Sequence, residues 1–251
     1  MKILIACDSF KDALAAPAVC EAVARGLRSA VPDLEAVPFP LADGGEGTAE
    51  LLTHHRGGEW ISCEVTDPLG RPIRAGFGRS ADGRTAFLDL AAASGLQHLR
   101  EEERNPWLAS TFGTGQLLQQ ALDIGVEEIV LGIGGSATHD AGLGMALALG
   151  YRLWAEDGAE LAGQGRDLQR LHRIDASQVH PRLREVKIIT LTDVNNPLVG
   201  PHGAARVYAP QKGADEAMVA ALEQGTAHWA RVVAEQLDVE LAHHPGAGAA
   251  G

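Results

Sequence analysis

Two glycine-rich segments of this 251-residue chain have the composition of loops that bind phosphate or other anions. Residues 42–48 read ADGGEGT, with two carboxylates around the glycines, and residues 132–137 read GIGGSA. Each follows a predicted strand and precedes a predicted helix, which is where open α/β sheets bind ligands. Backbone amides at a helix start attract anions, and an acid such as Asp43 can bind Mg²⁺ or a hydroxyl. A plain strand-to-helix turn with a capping acid has the same composition, so both interpretations stay open.

Three charged residues in predicted loops could act on a phosphorylated substrate. Only four of the 21 basic residues are lysines, and Lys11 and Lys212 both fall in loops. An ammonium group suits phosphate oxygens, although each could equally be an ordinary solvated lysine. Asp193 directly follows a predicted strand, so its carboxylate could accept a proton from a substrate hydroxyl or bind Mg²⁺. Turn capping is the alternative role for Asp193.

The loop at 132–137 also matches a dinucleotide-binding fingerprint. Gly132, Gly134 and Ala137 fit G-x-G-x-x-A, and Glu156 follows at about the expected 20 residues. This match makes an NAD-dependent dehydrogenase an alternative. However, Asp140 is predicted in the first turn of the next helix, where it would repel a pyrophosphate unless Mg²⁺ intervened. The sequence contains no Walker A motif, no G-x-S-x-G and no H-E-x-x-H, which disfavours P-loop enzymes, serine hydrolases and zinc proteases.

The elements that would position these loops alternate between strands and helices. Hydrophobic periodicity predicts strands at 3–7, 34–41, 126–133, 151–155 and 186–192, and helices at 17–29, 47–56, 116–124, from the glycine loop to 149, and 215–236. Residues 60–90 alternate in polarity between turn signals and predict a β-meander. The pattern therefore predicts an α/β fold with a largely parallel sheet, and the meander indicates a second lobe.

Composition narrows the class of protein. Apolar residues make up 45% and charged residues 22%, which is typical of globular chains. The net charge of −12 argues against nucleic-acid or anionic-membrane partners. The three cysteines are far apart and form no C-x-x-C, which fits a reducing cytoplasm. No apolar run approaches the roughly 20 residues of a membrane span.

Ten short motifs in a fixed order carry a family resemblance. They are DSFK at 8–11, ADGGEGT at 42–48, TDPLGRP at 66–72, AAASGL at 91–96, ERNP at 103–106, GTG at 113–115, GIGGSATHD at 132–140, DVNNPL at 193–198, PQKGA at 210–214 and PGAGAAG at 245–251. Taken together, they make the whole chain resemble the bacterial glycerate kinase family. The resemblance implies ATP-dependent phosphorylation of D-glycerate at the 2-hydroxyl, with ATP and Mg²⁺ as cofactors.

The resemblance also implies two α/β lobes. One is a Rossmann- or flavodoxin-like lobe begun by residues 1–62, the second spans 63–240, and residues 241–251 start a return to the first. Family members continue well past the last motif, so the resemblance predicts a truncated chain whose incomplete first lobe could self-associate. A fragment that binds glycerate or nucleotide without turnover is the alternative function.

The site residues follow from the motifs. Asp193 and Lys11 are predicted to be catalytic, and Asp140 and Asp193 to bind the metal. The predicted substrate-binding set is Asp8, Ser9, Lys11, Asp43, Gly44, Gly45 and Glu46, and the predicted nucleotide-phosphate set is Gly134, Gly135, Ser136 and Lys212. The sequence departs from the family pattern at Asp12, His139, Ala141 and Asn195. Asp12 matters most, because it places a negative charge beside Lys11.

Overall fold

The N-terminal part of the chain is a small strand–helix–strand unit. The computed structural model describes residues 1–10 and 13–251. Strands β1 (Lys2–Ile5) and β2 (Glu35–Pro38) pair in parallel, and helix α1 (Ala16–Ala30) joins them. Ile5, Cys20 and Ala24 form the centre of their shared core. The unit confirms the predicted order, but β2 is shorter than the predicted strand because prolines 38 and 40 cannot donate to a ladder.

A five-stranded mixed sheet forms the main body. Its strands are β3 (Glu59–Thr66), β4 (Pro72–Arg79), β5 (Thr85–Asp89), β6 (Glu128–Gly132) and β9 (Lys187–Leu191), in the order β3-β4-β5-β6-β9. The first three are the predicted antiparallel meander, and β5, β6 and β9 run parallel to one another. The predicted α/β class is thus confirmed, and the parallel part of the sheet brings the carboxyl ends of β5, β6 and β9 to one edge.

Three helices belong to this sheet. Helix α2 (Thr48–His55) packs on β4 and β5, α3 (Ala91–Ser94) follows β5, and α4 (Phe112–Asp123) packs against β3. Phe77, Leu88, Leu117, Leu122 and Ile129 are fully or almost fully buried in the resulting core. The predicted lobe boundary at residue 62 does not coincide with the end of an element. It falls inside β3, and it assigns α2 to the N-terminal lobe although α2 packs on the five-stranded sheet.

A second core lies beside the sheet. Its elements are α5 (Leu143–Ala148), the antiparallel hairpin β7 (Arg152–Ala155) and β8 (Leu171–Asp175), α6 (Ala204–Tyr208) and α7 (Glu216–Leu237). Leu153, Leu168, Leu171 and Leu222 are buried between them. The prediction of a helix directly after the glycine loop is wrong, because residues 138–140 are buried without helical structure and residues 141–142 form a turn before α5. Within the described residues, no helix has both the length and the apolar character needed to span a membrane.

Candidate functional site

A cavity of about 200 Å³ opens at the carboxyl edge of the five-stranded sheet. It is lined by Asp43, Gly44, Gly45, Ile133, Gly134, Gly135, Ser136, Thr192, Asp193, Val194, Tyr208, Gln211, Lys212 and Ala249. Three loops thus meet there: the one before α2, the one after β6 and the one after β9. The structure brings together eight of the residues predicted from sequence, namely Asp43, Gly44, Gly45, Gly134, Gly135, Ser136, Asp193 and Lys212.

Two glycines allow the loops to meet. Gly44 has φ +98°, and a Cβ atom there would lie 2.6 Å from the Leu191 carbonyl oxygen. A Cβ atom on Gly134 would lie 2.8 Å from Gly45 Cα, and the Gly134 amide donates to the Gly44 carbonyl at 3.0 Å. Side chains at Gly44 or Gly134 would therefore push the loops apart. These two glycines are therefore needed because the backbones of the loops approach each other closely.

Asp193 presents an exposed carboxylate to the cavity just after β9. Tyr208 lines the same cavity, and burial, followed by the charge of Asp193, raises the pKa of its phenol. That phenol donates to the Asn196 side-chain oxygen at 2.7 Å. The loop after β9 is thus tied to α6 by a neutral hydroxyl, and the Asp193 carboxylate remains open to a ligand.

Lys212 enters the cavity wall from the other side and is 1% exposed. Its ammonium group donates to Ser136 Oγ at 2.7 Å, to the Thr138 carbonyl at 2.5 Å and to the Ala250 carbonyl at 2.7 Å. Burial lowers the pKa of Lys212 to about 7, and the charge of Asp140 opposes that shift. Lys212 therefore carries its positive charge below about pH 7, and its hydrogen bonds tie the glycine loop to Ala250.

His139 adds no second positive charge beside this lysine. Its ring is completely buried, with Nε2 2.9 Å from Thr226 Oγ1. Burial, and to a smaller extent the charge of Lys212, lower the pKa of His139 to about 3. The imidazole is therefore neutral near pH 7, so the departure from the family pattern at this position leaves the cavity charge unchanged.

The structure argues against the predicted metal role of Asp140. Its side chain is fully buried. One oxygen accepts from the Thr111 amide and hydroxyl, both at 2.8 Å, and from the Gly144 amide at 3.2 Å. The other accepts from the Gly142 amide at 3.2 Å. Burial raises the pKa of Asp140 against these bonds. Asp140 therefore holds the turn before α5 to the start of α4 and does not reach the cavity.

Asp8, Ser9 and Glu46 are not among the residues that line the cavity. Asp8 and Ser9 follow β1 in the N-terminal unit, where an Asp8 oxygen accepts from the Ser9 amide at 2.5 Å. Glu46 belongs to the loop before α2 but is not among the cavity-lining residues described. Lys11 lies outside the described residues, so its predicted role stays a prediction.

The dinucleotide alternative fails on topology. In a dinucleotide unit, the strand that follows the fingerprint helix lies in the same sheet and carries the ribose-binding acid. Here that strand is β7, which pairs with β8 in a separate hairpin. Glu156 lines a different groove together with His172 and His228. The glycine loop and the acid therefore line different grooves, so the structure does not favour the dehydrogenase interpretation.

Mg²⁺ fits the cavity only as an ion shared with a substrate. Among residues 1–10 and 13–251, no cluster of three or more histidine, cysteine or acidic side chains could hold a metal. Asp43 and Asp193 both line the cavity, and Asp43 already accepts from the Gly45 amide at 2.8 Å. Proteins commonly bind Mg²⁺ through one or two carboxylates plus substrate phosphates. The donor set therefore suits Mg²⁺ that arrives with a phosphorylated substrate.

Sequence reasoning missed several wall residues. They are Ile133, Thr192, Val194, Tyr208, Gln211 and Ala249. Four of them adjoin predicted residues in the sequence, and Ala249 lies in the last glycine motif, so position was the available signal for these five; Tyr208 had none. The hydroxyl and amide side chains of Thr192, Tyr208 and Gln211 add neutral hydrogen-bonding groups to the wall.

Comparison with known proteins gives one consistent family. Residues 3–251 match the model of the glycerate kinase family. The chain is similar to the glycerate 2-kinase of Escherichia coli K12, with 46% identity over 251 residues, and to the glycerate kinase of Bacillus subtilis 168, with 47% identity over 251 residues. In both cases the match covers 100% of this chain and 66% of the relative, so the chain spans about two thirds of their length.

A solved structure agrees with these relatives. The crystal structure of a Salmonella typhimurium LT2 protein described as a glycerate kinase 2 superposes with a TM-score of 0.89. The two sequences are 44% identical, and the match covers 100% of this chain and 67% of the other. The fold described above is therefore one that a related sequence adopts.

Proposed function

Because this chain belongs to the glycerate kinase family, we propose that it carries the phosphoryl-transfer site of an enzyme that phosphorylates glycerate with ATP, at the 2-hydroxyl. The observation that carries the proposal is the single cavity in which an open carboxylate, Asp193, faces a glycine loop and a buried lysine, Lys212. Phosphoryl transfer needs positioning and charge neutralisation more than covalent chemistry. Cysteine usage supports a reducing cytoplasm as the place of the reaction.

Each part of the cavity has a proposed task. The Gly135 amide binds the phosphates of ATP, Gly134 shapes the loop through its own bond to the Gly44 carbonyl, and Lys212 supplies the nearby positive charge. Asp193 accepts the proton that leaves the glycerate hydroxyl, or binds Mg²⁺ beside it. Asp43 binds the glycerate hydroxyls or the same ion. Mg²⁺, when bound, neutralises charge on the transferring phosphoryl group.

The N-terminal unit has a proposed task that rests on the motif at 8–11 alone. Asp8, Ser9 and Lys11 would approach glycerate from that unit, with the lysine opposing the carboxylate of the substrate. The proposal for these three residues draws its support from the family pattern, because Asp8 and Ser9 are not among the wall residues described.

The test is a coupled ADP-release assay on the purified 251-residue protein with D-glycerate, ATP and MgCl₂, with the E. coli relative as positive control. We expect glycerate-dependent ADP release, and ³¹P NMR of the product distinguishes 2-phosphoglycerate from 3-phosphoglycerate. ADP release that does not depend on glycerate would contradict the proposal that glycerate is the substrate. Calorimetric binding of ATP–Mg²⁺ without turnover would instead support the alternative of a non-catalytic fragment.

We also propose that the chain self-associates through the N-terminal unit. Parallel sheets normally have both faces covered, yet α1 covers only one face of β1 and β2. On the opposite face Leu4 is 62% exposed, and Phe10, in the segment that follows β1, is also 62% exposed. Sedimentation velocity is expected to show a concentration-dependent dimer that Leu4→Lys weakens. Exposed apolar patches of this kind mark interfaces. A protein that stays strictly monomeric at about 100 μM would therefore contradict self-association through this surface.

A further inference from the structure

Asp89 is a buried acid that the proposed reaction does not use. It is the last residue of β5, and its register partner on β6 is Gly132, the first residue of the glycine loop. Its side chain is 6% exposed and lies behind the wall residues rather than in the cavity. Burying a carboxylate this deeply costs free energy unless hydrogen bonds compensate it, so the partners of Asp89 indicate its role.

Its two oxygens bind the start of α2. Oδ2 accepts from the Gly47 amide at 2.9 Å, and Oδ1 accepts from the Ala49 amide at 3.0 Å. Gly47 is the N-cap residue of α2 and has no side chain to cap the helix itself. Asp89 therefore acts as the cap from another element, and a negative charge there also favours the helix dipole. This anchor fixes the segment that immediately follows Asp43 and Gly45.

The same carboxylate adjoins the second loop of the cavity. A Cβ atom on Gly132 would lie 3.0 Å from Asp89 Oδ1 and 2.6 Å from the Gly44 carbonyl oxygen. That carbonyl in turn accepts from the Gly134 amide at 3.0 Å. Asp89, Gly132 and Gly44 thus form one tightly packed junction. A substitution at Asp89 would therefore change the packing of both loops that line the cavity.

Charge around Asp89 makes the anchor sensitive to pH. Burial raises the pKa of Asp89 to about 7, the two amides lower it, and Glu50 and Glu46 raise it further. Among the described elements beside that end of β5, none places a cation at Asp89. Helix α3 has the uncharged sequence AAAS, β6 contributes Gly132, and Arg79 on β4 lies opposite Ala86. Protonation would leave one oxygen unable to accept from its amide.

We propose that Asp89 is a positioning residue whose carboxylate holds the loop before α2 against the glycine loop and thereby sets the shape of the cavity. Its consequence for catalysis rests on the proposed function, but the hydrogen bonds and the junction do not. As the carboxylate becomes protonated below about pH 7, the start of α2 loosens and the loop before α2 no longer packs tightly against the glycine loop.

Amide hydrogen exchange tests the anchor without any enzyme assay. In the wild-type chain we expect protection factors at Gly47 and Ala49 to fall about tenfold or more between pH 8 and pH 6, since a lost hydrogen bond permits local opening. Asp89→Asn should show the low protection at both pH values. The Met218 amide, which Asp215 caps on α7, is the internal control and should be unaffected by Asp89→Asn.

Activity supplies the second readout. Asp89→Asn is expected to lower kcat/KM for glycerate at pH 8 by about tenfold to a hundredfold, as small misplacements do, and to remove the wild-type decline between pH 8 and pH 6. Asp82→Asn is the matched control, because Asp82 also accepts two hydrogen bonds, from Ser80 and Arg84, in a distant exposed turn. It should keep the wild-type profile.

The two readouts separate the possible failures. Protection at Gly47 and Ala49 that is independent of pH and unchanged by Asp89→Asn would overturn the positioning role, whether or not the protein phosphorylates glycerate. The expected protection change without turnover in any variant would support the anchor and contradict the proposed function. If Asp89→Asn fails to fold, the pH dependence of wild-type protection still decides.

Discussion

Asp193→Asn is expected to lower kcat for glycerate phosphorylation by roughly 10²–10⁴-fold, the range typical of a lost acid or base group. The amide has the shape of the carboxylate but cannot accept the proton of the substrate hydroxyl. Because Asp193 is exposed, the free energy of unfolding should change by no more than about 0.5 kcal/mol. Steady-state kinetics and a urea titration on the same preparation measure both quantities.

Asp157→Asn is the control for this change. Asp157 is also an exposed turn aspartate, and it accepts from the Ala159 amide at 3.0 Å on the β7–β8 hairpin. Its substitution should leave kcat unchanged. A kcat within about twofold of wild type in Asp193→Asn would exclude Asp193 as the base, because general-base groups contribute far more. A rise in KM for Mg²⁺ accompanying the loss of kcat would indicate that Asp193 binds the ion.

The positions of the cavity loops could be predicted because their signals are local. Glycine clusters and acids that follow apolar strands are visible within a few residues, and the carboxyl ends of parallel strands meet at one sheet edge. This reasoning predicts that Gly44, Gly134 and Asp193 lie in ligand-binding loops, and the structure places all three in the wall of one cavity. It needed no knowledge of which strands are neighbours.

Which strands pair and which side chains are buried depend on residues far apart in the chain. Local sequence patterns therefore predict both less well. β7 follows β6 in the chain, but it pairs with β8 because Leu153 and Leu171 join a core formed with α7. Asp140 and Asp193 both follow strand–loop segments and look equivalent in sequence. Only packing against Thr111 and Gly144 shows that Asp140 is a buried cap.

Asp89 shows a different limit. A carboxylate at the end of an apolar strand gives no sign of whether it faces solvent or another element, and its partners Gly47 and Ala49 lie about 40 residues earlier in the chain. Its burial becomes meaningful only once α2 is known to pack on β5. A positioning role such as that of Asp89 therefore cannot be predicted from local sequence motifs.

Lys212→Met is expected to lower kcat/KM for ATP by roughly 10²–10³-fold, the scale of losing one preorganised electrostatic group in a phosphoryl-transfer site. It should also lower the free energy of unfolding near pH 7 by about 1–3 kcal/mol, because Ser136 Oγ and the Thr138 and Ala250 carbonyls lose their shared donor. Lys187→Met is the control, since Lys187 pairs with Glu128 on the exposed surface.

The pH dependence of stability distinguishes a buried ammonium from an ordinary one. Because burial lowers the pKa of Lys212 to about 7, the unfolded chain binds one more proton than the folded chain between about pH 7 and pH 10. Wild-type stability should therefore rise with pH across this window relative to Lys212→Met, and Lys187→Met should follow wild type. Parallel curves for wild type and Lys212→Met would mean that the lysine is not desolvated in the cavity wall. An unchanged kcat/KM for ATP would remove it from the phosphate site.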